Sequence, residues 1–283
     1  MAEYKIKDVE VLTGIKAHTI RIWEKRYGIL VPERTKSKIR SYCDEDLTQL
    51  LNISILNQNG LKISKIAELS RDQIKERVKK LSFSESGESA VLSLLINALI
   101  EFDDVLFKRV LGSVIHKEGV ESCYFNYILP FLDKVGIMWI VGTILPTQEH
   151  FISNLIREML IVETNKLPVS TSGKTFVLFC REGDWHELSL LLYNFLLKER
   201  GDNTLYLGQS LPLDGLKRIT EKVKVEAFVS SLIAPLNAQA EEEFNRFTEE
   251  IDIPVYIGGS HSKRLLNKKS DLARINDVKQ LFM

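Results

Sequence analysis

Apolar positions in the first 80 residues recur at the spacing of short helices. Ile6, Val9 and Leu12 share one helical face, and Thr13-Gly14 turns the chain. Residues 17–26 (AHTIRIWEKR) form a second helix with Ile20 and Trp23 facing inward, and Gly28 ends it. Residues 29–42 (ILVPERTKSKIRSY) are extended and basic. Asp44-Glu45-Asp46 then opens a helix through Leu56, because carboxylates favour a helix N-terminus. Gly60 breaks that helix, and Ile63, Ile66 and Leu69 mark one more. The run 82–89 (SFSESGES) has linker composition. From there four segments, 88–101, 103–116, 120–139 and 147–165, carry apolar residues three and four apart, as at Phe151, Leu155 and Met159. That pattern predicts a small four-helix bundle.

Beyond residue 172 the period changes. Short apolar runs at 174–180 (KTFVLFC), 203–207 (NTLYL), 225–232 (VEAFVSSL) and 253–257 (IPVYI) predict strands, with a weak fifth at 272–275. Helical stretches at 185–199, 213–222 and 238–250 lie between them, and a final helix follows the fifth strand. Strand and helix alternate, so a doubly wound parallel α/β sheet of flavodoxin-like type is expected. The chain is therefore a multidomain α and α/β protein with units at 1–80, 88–166 and 172–283.

Charge sharpens the picture. The 283 residues carry no net charge, but residues 1–80 hold 17 Lys/Arg against 11 Asp/Glu, a net +6. Residues 16–40 alone supply that whole excess, with 8 basic and 2 acidic side chains. A basic patch focused on one short window beside helix-turn-helix spacing suits a nucleic-acid backbone. No stretch approaches 18 consecutive apolar residues and the N-terminus is charged, so neither a membrane span nor a signal peptide is expected, and the cytoplasm is the default location. Cys43, Cys123 and Cys180 are odd in number and far apart, which builds neither a disulfide framework nor a zinc motif. Serine and cysteine positions show no nucleophile–base pattern, and there is no phosphate loop.

The segment Ile20-Arg21-Ile22-Trp23-Glu24-Lys25-Arg26-Tyr27-Gly28, then Pro32-Glu33-Arg34-Thr35, Arg40-Ser41-Tyr42 and Asp46-Leu47, resembles the signature of the MerR family of transcriptional regulators. The resemblance implies a winged helix-turn-helix that binds double-stranded DNA. Lys16, His18 and Thr19 sit at the start of the recognition helix, with Arg21, Lys25 and Arg26 in reach of groove edges or phosphates. Arg34, Lys36, Lys38 and Arg40 would form the wing. Ile20, Trp23 and Tyr42 are expected in the core, and Glu24 is expected to pair within the fold. A homodimer or homotetramer is expected, because a twofold reads two half-sites. The Ser/Gly run interrupts any long dimerisation helix, so downstream units would supply the self-association.

Three motifs fall at carboxyl ends of strands: Asp184-Trp185-His186, Ser230-Ser231-Leu232 and Gly258-Gly259. In an open α/β sheet those ends share one edge, where ligands bind. The glycines let a large flat ligand approach the backbone. His186 offers an imidazole to a metal, with Asp184 or a carbonyl orienting its other nitrogen. This set resembles the cobalamin-binding fold. Upstream, Trp139 and, ten residues later, Glu149-His150 resemble a helical cap over the cofactor's upper face, and Leu207–Pro212 matches a family loop. The whole chain is similar to the light-responsive, cobalamin-dependent repressors of the MerR family. That resemblance implies cobalamin as cofactor, with adenosylcobalamin a candidate form, and His186 as the lower axial ligand to cobalt.

Two positions depart from the pattern. Ser189 replaces the glycine of Asp-x-His-x-x-Gly. Ile140 stands where the photoreceptors place a histidine that captures cobalt after light removes the upper adenosyl group. His150 is present but matches a position near that group. Two other functions compete with a cobalamin-responsive regulator. One is a regulator that keeps the fold without the cofactor and senses another small molecule or a partner protein. The other is an enzyme such as a corrinoid methyl carrier, which has no use for a basic winged helix.

Overall fold

The computed structural model describes residues 3–34, 39–79, 87–140, 142–170, 173–233, 236–262 and 275–282. The chain divides into two compact units, Met1–Leu155 and Ile156–Met283. No helix among the described residues is long and apolar enough to cross a membrane.

In the first unit, α1 (Ile6–Thr13) and α2 (Ala17–Tyr27) are joined at Gly14, whose φ of 73° takes the left-handed turn. The Glu10 side chain accepts from the Ala17 amide at 3.2 Å and so caps α2. A two-stranded antiparallel hairpin follows, β1 (Glu33–Arg34) with β2 (Arg40–Ser41), in the register Arg34 opposite Arg40. The turn between them, with Lys36 and Lys38, and residues 82–86 of the expected linker lie outside the described residues. Helix α3 (Asp44–Gln58) is apolar nearly all round, with Leu47, Leu50, Leu51, Ile53 and Ile55 fully buried. A helix of that kind needs partners on more than one face. It packs on α1 and also on α6 (Glu88–Glu101), where Asn97 Nδ2 donates to Asn52 Oδ1 at 2.7 Å. Helices α1 to α3 and α6 therefore share one compact unit.

The helix expected from Ile63 to Leu69 is one turn, α4 (Ile63–Ile66), followed by α5 (Arg71–Lys79). Ser70 and Gln73 cap α5 reciprocally at 2.9 and 3.2 Å. Next come α7 (Asp104–Cys123), broken at Gly119 with φ 85°, a π turn at Tyr124–Ile128, and α8 (Leu129–Ile140). Helix α9 (Pro146–Asn165) contains the division between the units.

The second unit holds β3 (Thr175–Arg181), α10 (Leu188–Glu199), β4 (Asn203–Leu211), α11 (Asp214–Thr220), β5 (Ala227–Ser231), α12 (Ala238–Glu250), β6 (Val255–Gly258) and β7 (Ile275–Asp277). The strands form a parallel sheet in the order β4-β3-β5-β6-β7. That is the flavodoxin-like order, with its switch point between β3 and β5. Alternate residues face opposite sides. Val177, Phe179, Phe228 and Ile257 pack against α11 and α12. Phe176, Leu178, Cys180 and Val229 pack against α10 and the last turn. That last element is a single 3-10 turn, Val278–Leu281, in place of the expected helix.

Candidate functional site

Two surfaces carry the candidate residues, one in each unit, and a third group sits at the junction of α8 and α9. On α2, Ile20 is fully buried and Trp23 nearly so, which turns His18, Arg21, Lys25 and Arg26 outward. Lys16 is exposed and pairs with Glu10 at 3.2 Å; His18 Nε2 lies 3.3 Å from Thr19 Oγ1. Arg34 is exposed on the hairpin. Arg40 differs from the others. Its Nε donates to Glu24 Oε2 at 2.8 Å, while the Tyr42 hydroxyl donates to Glu24 Oε1 at 2.6 Å. Burial and the Glu24 carboxylate raise the Tyr42 phenol well above its ordinary value. Glu24 thus ties the second hairpin strand to α2, and Arg40 takes part in that tie. The sequence pattern did not single out Ile22. It lies 52% exposed among those cations.

The second surface is the carboxyl edge of β3 and β5. Asp184 is fully buried after β3. Its Oδ1 accepts from the His186 amide at 3.0 Å and lies 2.9 Å from His186 Nδ1. A carboxylate only accepts, so Nδ1 carries the hydrogen and Nε2 carries the lone pair of the neutral ring. The His186 side chain is 59% exposed, so an anchored imidazole stands at the sheet edge. Ser230, at the end of the adjacent β5, is buried. Asp184 Oδ2, Ser230 Oγ and Ser231 Oγ are all buried without a hydrogen-bond partner. A buried polar atom left unmade costs about 1–3 kcal/mol; Asp184 Oδ2 and Ser230 Oγ lie at the carboxyl ends of the neighbouring strands β3 and β5, whereas Ser231 faces the other side of the sheet.

The glycines at β6 have a reason within the protein. A Cβ at Gly258 would stand 2.1 Å from the Tyr193 hydroxyl, and one at Gly259 2.5 Å from the Leu232 carbonyl. Leu232 itself belongs to the buried core. These residues shape the edge by close packing. The start of α10 carries Ser189, half-buried.

The His186 loop is braced by residues the motifs did not reveal. Glu187 Oε1 accepts from Arg157 Nε at 2.6 Å, and its Oε2 accepts from the Tyr206 hydroxyl at 2.7 Å. Burial and Glu187 raise the Tyr206 phenol far above its ordinary value. Leu207–Pro212, expected as a loop, instead continues β4 as far as Leu211 and borders the same segment. The Ser210 amide donates to the Asp184 carbonyl at 3.1 Å and Gln209 Nε2 to the Trp185 carbonyl at 2.8 Å. Beneath it, burial and the Asp184 and Glu187 carboxylates push the Cys180 thiol up to about 12. Arg157 and Tyr206 lie 30 and 19 residues from Glu187, so no local pattern signals the pairings.

The third group is Trp139, Glu149 and His150. Trp139 lies in the last turn of α8 and is 44% exposed, unlike a core residue; Ile140, which ends the helix, is 86% exposed. Glu149 accepts from the Ser153 hydroxyl at 2.9 Å, and His150 is exposed on α9. Among the described residues no group of three or more His, Cys, Asp and Glu side chains converges to hold a bare metal ion. A metal carried in a macrocycle needs only an axial ligand, which one histidine can give.

Residues 4–73 match the family model described as "MerR HTH family regulatory protein", and residues 91–162 match that described as "B12 binding domain". The chain is 27% identical over 278 residues to the HTH-type transcriptional repressor CarH of Myxococcus xanthus, covering 93% of this chain and 91% of the relative. It is 28% identical over 263 residues to the repressor CarA of the same organism, covering 90% and 86%. The monomethylamine corrinoid protein of Methanosarcina barkeri superposes with a TM-score of 0.51 at 15% identity, over 68% of this chain and 94% of that one. This last likeness is one of fold.

Proposed function

We propose, from the premise that the chain is a MerR-type HTH regulator joined to a B12-binding domain, that it binds operator DNA through α2 and its hairpin and is controlled by cobalamin seated at the β3–β5 edge. The observation that carries the second half is the anchored imidazole of His186 beside the orphaned buried oxygens of Asp184 and Ser230. Those residues fit a corrinoid. His186 Nε2 would ligate the cobalt from below, Asp184 would hold the ring in the right tautomer, and Ser230 would receive a polar group of the ligand. By the family resemblance, Trp139, Glu149 and His150 would also hold the cofactor. Bound cobalamin supplies a metal whose axial ligands change with its chemical form. The chain's own residues would orient the His186 imidazole toward that metal.

Lys16, His18, Thr19, Arg21, Lys25, Arg26 and Arg34 would contact DNA, with Lys36 and Lys38 extending the wing. Phosphate contacts would give affinity, and Thr19 and Ile22 would read base edges. A dimer or tetramer would present two recognition helices to two half-sites. Repressor relatives and the DNA-binding segment argue against a methyl carrier.

The test is to incubate the purified full chain with adenosylcobalamin or methylcobalamin, desalt it and record the visible spectrum. DNA affinity is then measured with and without the retained cofactor. Retained colour with a changed affinity is the expected result. A colourless protein after every cobalamin form overturns the cofactor assignment, and leaves a regulator sensing something else.

A further inference from the structure

A cation on helix α8 reaches the first helix of the DNA-binding segment. Lys134 Nζ donates to the Val11 carbonyl at 2.6 Å and lies 3.4 Å from the Leu12 carbonyl. Both belong to the last turn of α1, where carbonyls have no partner within the helix. The ammonium sits at the negative end of the α1 dipole. Burial holds its pKa below the ordinary lysine value, and among the described residues it pairs with no carboxylate. A half-buried ammonium held only by neutral carbonyls is a costly way to join two helices when apolar residues of like size would serve.

The place of the contact is informative. Val11 and Leu12 precede the Gly14 turn, which leads straight into α2 at Ala17. Five residues further along α8 stands the exposed Trp139, about 7.5 Å along the helix axis at 1.5 Å per residue. The helix is bracketed by adjustable backbone, a π turn at Tyr124–Ile128 before it and Gly142 with φ 72° after it. A short rigid helix between two such points can shift as a body, and a shift of an ångström or two takes an ammonium out of hydrogen-bond range of its carbonyls.

We propose that Lys134 couples the Trp139 end of α8 to the recognition helix, so that α8 in one position holds the α1–α2 turn and in another releases it. This rests on the DNA-binding and cofactor reading above, and it names the regulation of those sites. Each of the two positions of α8 then has its own DNA affinity. A ligand at Trp139 that favours one position shifts the other site by the same factor.

The experiment uses the full chain, the variants Lys134→Met and Lys134→Arg, and a duplex recovered by binding-site selection from random DNA. Hydrogen exchange of residues 129–140 is measured with and without that duplex, with no cofactor present. In wild type and Lys134→Arg, DNA is expected to slow exchange in α8. In Lys134→Met, α8 exchange is expected to ignore the DNA, while DNA still protects residues 17–27. Loss of that protection together with a lowered melting point would mark misfolding, and the response of α8 to DNA in wild type then carries the test. The second arm compares DNA affinity with and without adenosylcobalamin. A wild-type ratio of about 5-fold or more is expected to fall to within about twofold of unity in Lys134→Met. Exchange in α8 that ignores DNA in wild type, or responds equally in Lys134→Met, overturns the coupling. A protein that retains no cobalamin sinks the cofactor reading instead, and leaves the first arm intact.

Discussion

Replacing Glu187 tests the brace under the candidate cobalt ligand. Glu187→Gln keeps the shape of the side chain. The amide oxygen can still accept from Arg157 Nε, and the amide nitrogen can donate to the Tyr206 oxygen. Two bonds survive, both without the carboxylate's charge. A bond to a charged group contributes about 1.5–3 kcal/mol and a neutral one about 0.5–1.5, so the loss is about 1 kcal/mol for each bond. Arg157 keeps 30% of its side chain in solvent, which screens part of its share. The local cost is thus about 1–2 kcal/mol. Glu187→Ala is worse, because it strands the guanidinium; for a fully buried pair that costs about 3–5 kcal/mol, and here about 2–4 after the same discount. The assay is hydrogen exchange of residues 182–190 in the full chain. Exchange in Glu187→Gln is expected to speed up by about 5- to 30-fold. Cobalamin retention should fall with it, because the loop that presents His186 is looser. The phenol of Tyr206 should also ionise at lower pH, since one cause of its raised value is removed. Exchange within twofold of wild type in both variants would refute the brace.

Other outcomes follow from the same geometry. Arg21→Ala should weaken DNA binding and flatten the dependence of log affinity on log salt by about 0.9 if it meets one phosphate. Arg40→Ala should weaken binding and also lower thermal stability, because Glu24 loses its cation and keeps only the Tyr42 hydroxyl; unchanged affinity in both variants across a salt series contradicts the DNA assignment. Illuminating the adenosylcobalamin complex should give no stable bis-imidazole spectrum, because Ile140 has no lone pair, and Ile140→His should allow one. A stable bis-imidazole spectrum in wild type, abolished by His150→Ala, would show that His150 fills that role. Cys180 should resist alkylation in the folded chain near pH 8. Its folded thiol holds its proton to about 12 against an ordinary value near 9, so the unfolded state sheds that proton first and stability falls as pH rises from 9 to 12. Brisk modification of Cys180 at pH 8, with Cys43 spared, would contradict its placement.

What was legible in the sequence had short range. The turn at Gly14, the end of α2 at Gly28 and the inward faces of Ile20 and Trp23 all follow from spacing, and the structure places them so. Gly119 separates two of the four bundle helices where the pattern broke. Strand alternation revealed the sheet, and Asp184-Trp185-His186 lies at its carboxyl edge with the imidazole held by Asp184. Contacts between distant residues were illegible. The Glu24–Arg40–Tyr42 tie, the Glu187 brace and the Lys134 contact join residues 16 to 123 positions apart, and no periodicity encodes a partner. The packing of α3 on α6 could have been anticipated, because α3 is apolar on more faces than one DNA-binding unit can cover. The cap of α5 was also written locally, as Ser70 followed three residues later by Gln73.

The central claim is that His186 binds the cobalt of a cobalamin from below. Electron paramagnetic resonance of the protein loaded with cob(II)alamin reads the axial nitrogen directly. With histidine labelled in nitrogen-15, a protein ligand changes each axial superhyperfine triplet into a doublet, and His186→Ala abolishes that change. Triplets that persist in the labelled wild type would show that the lower ligand comes from the cofactor's own base, and would contradict the account.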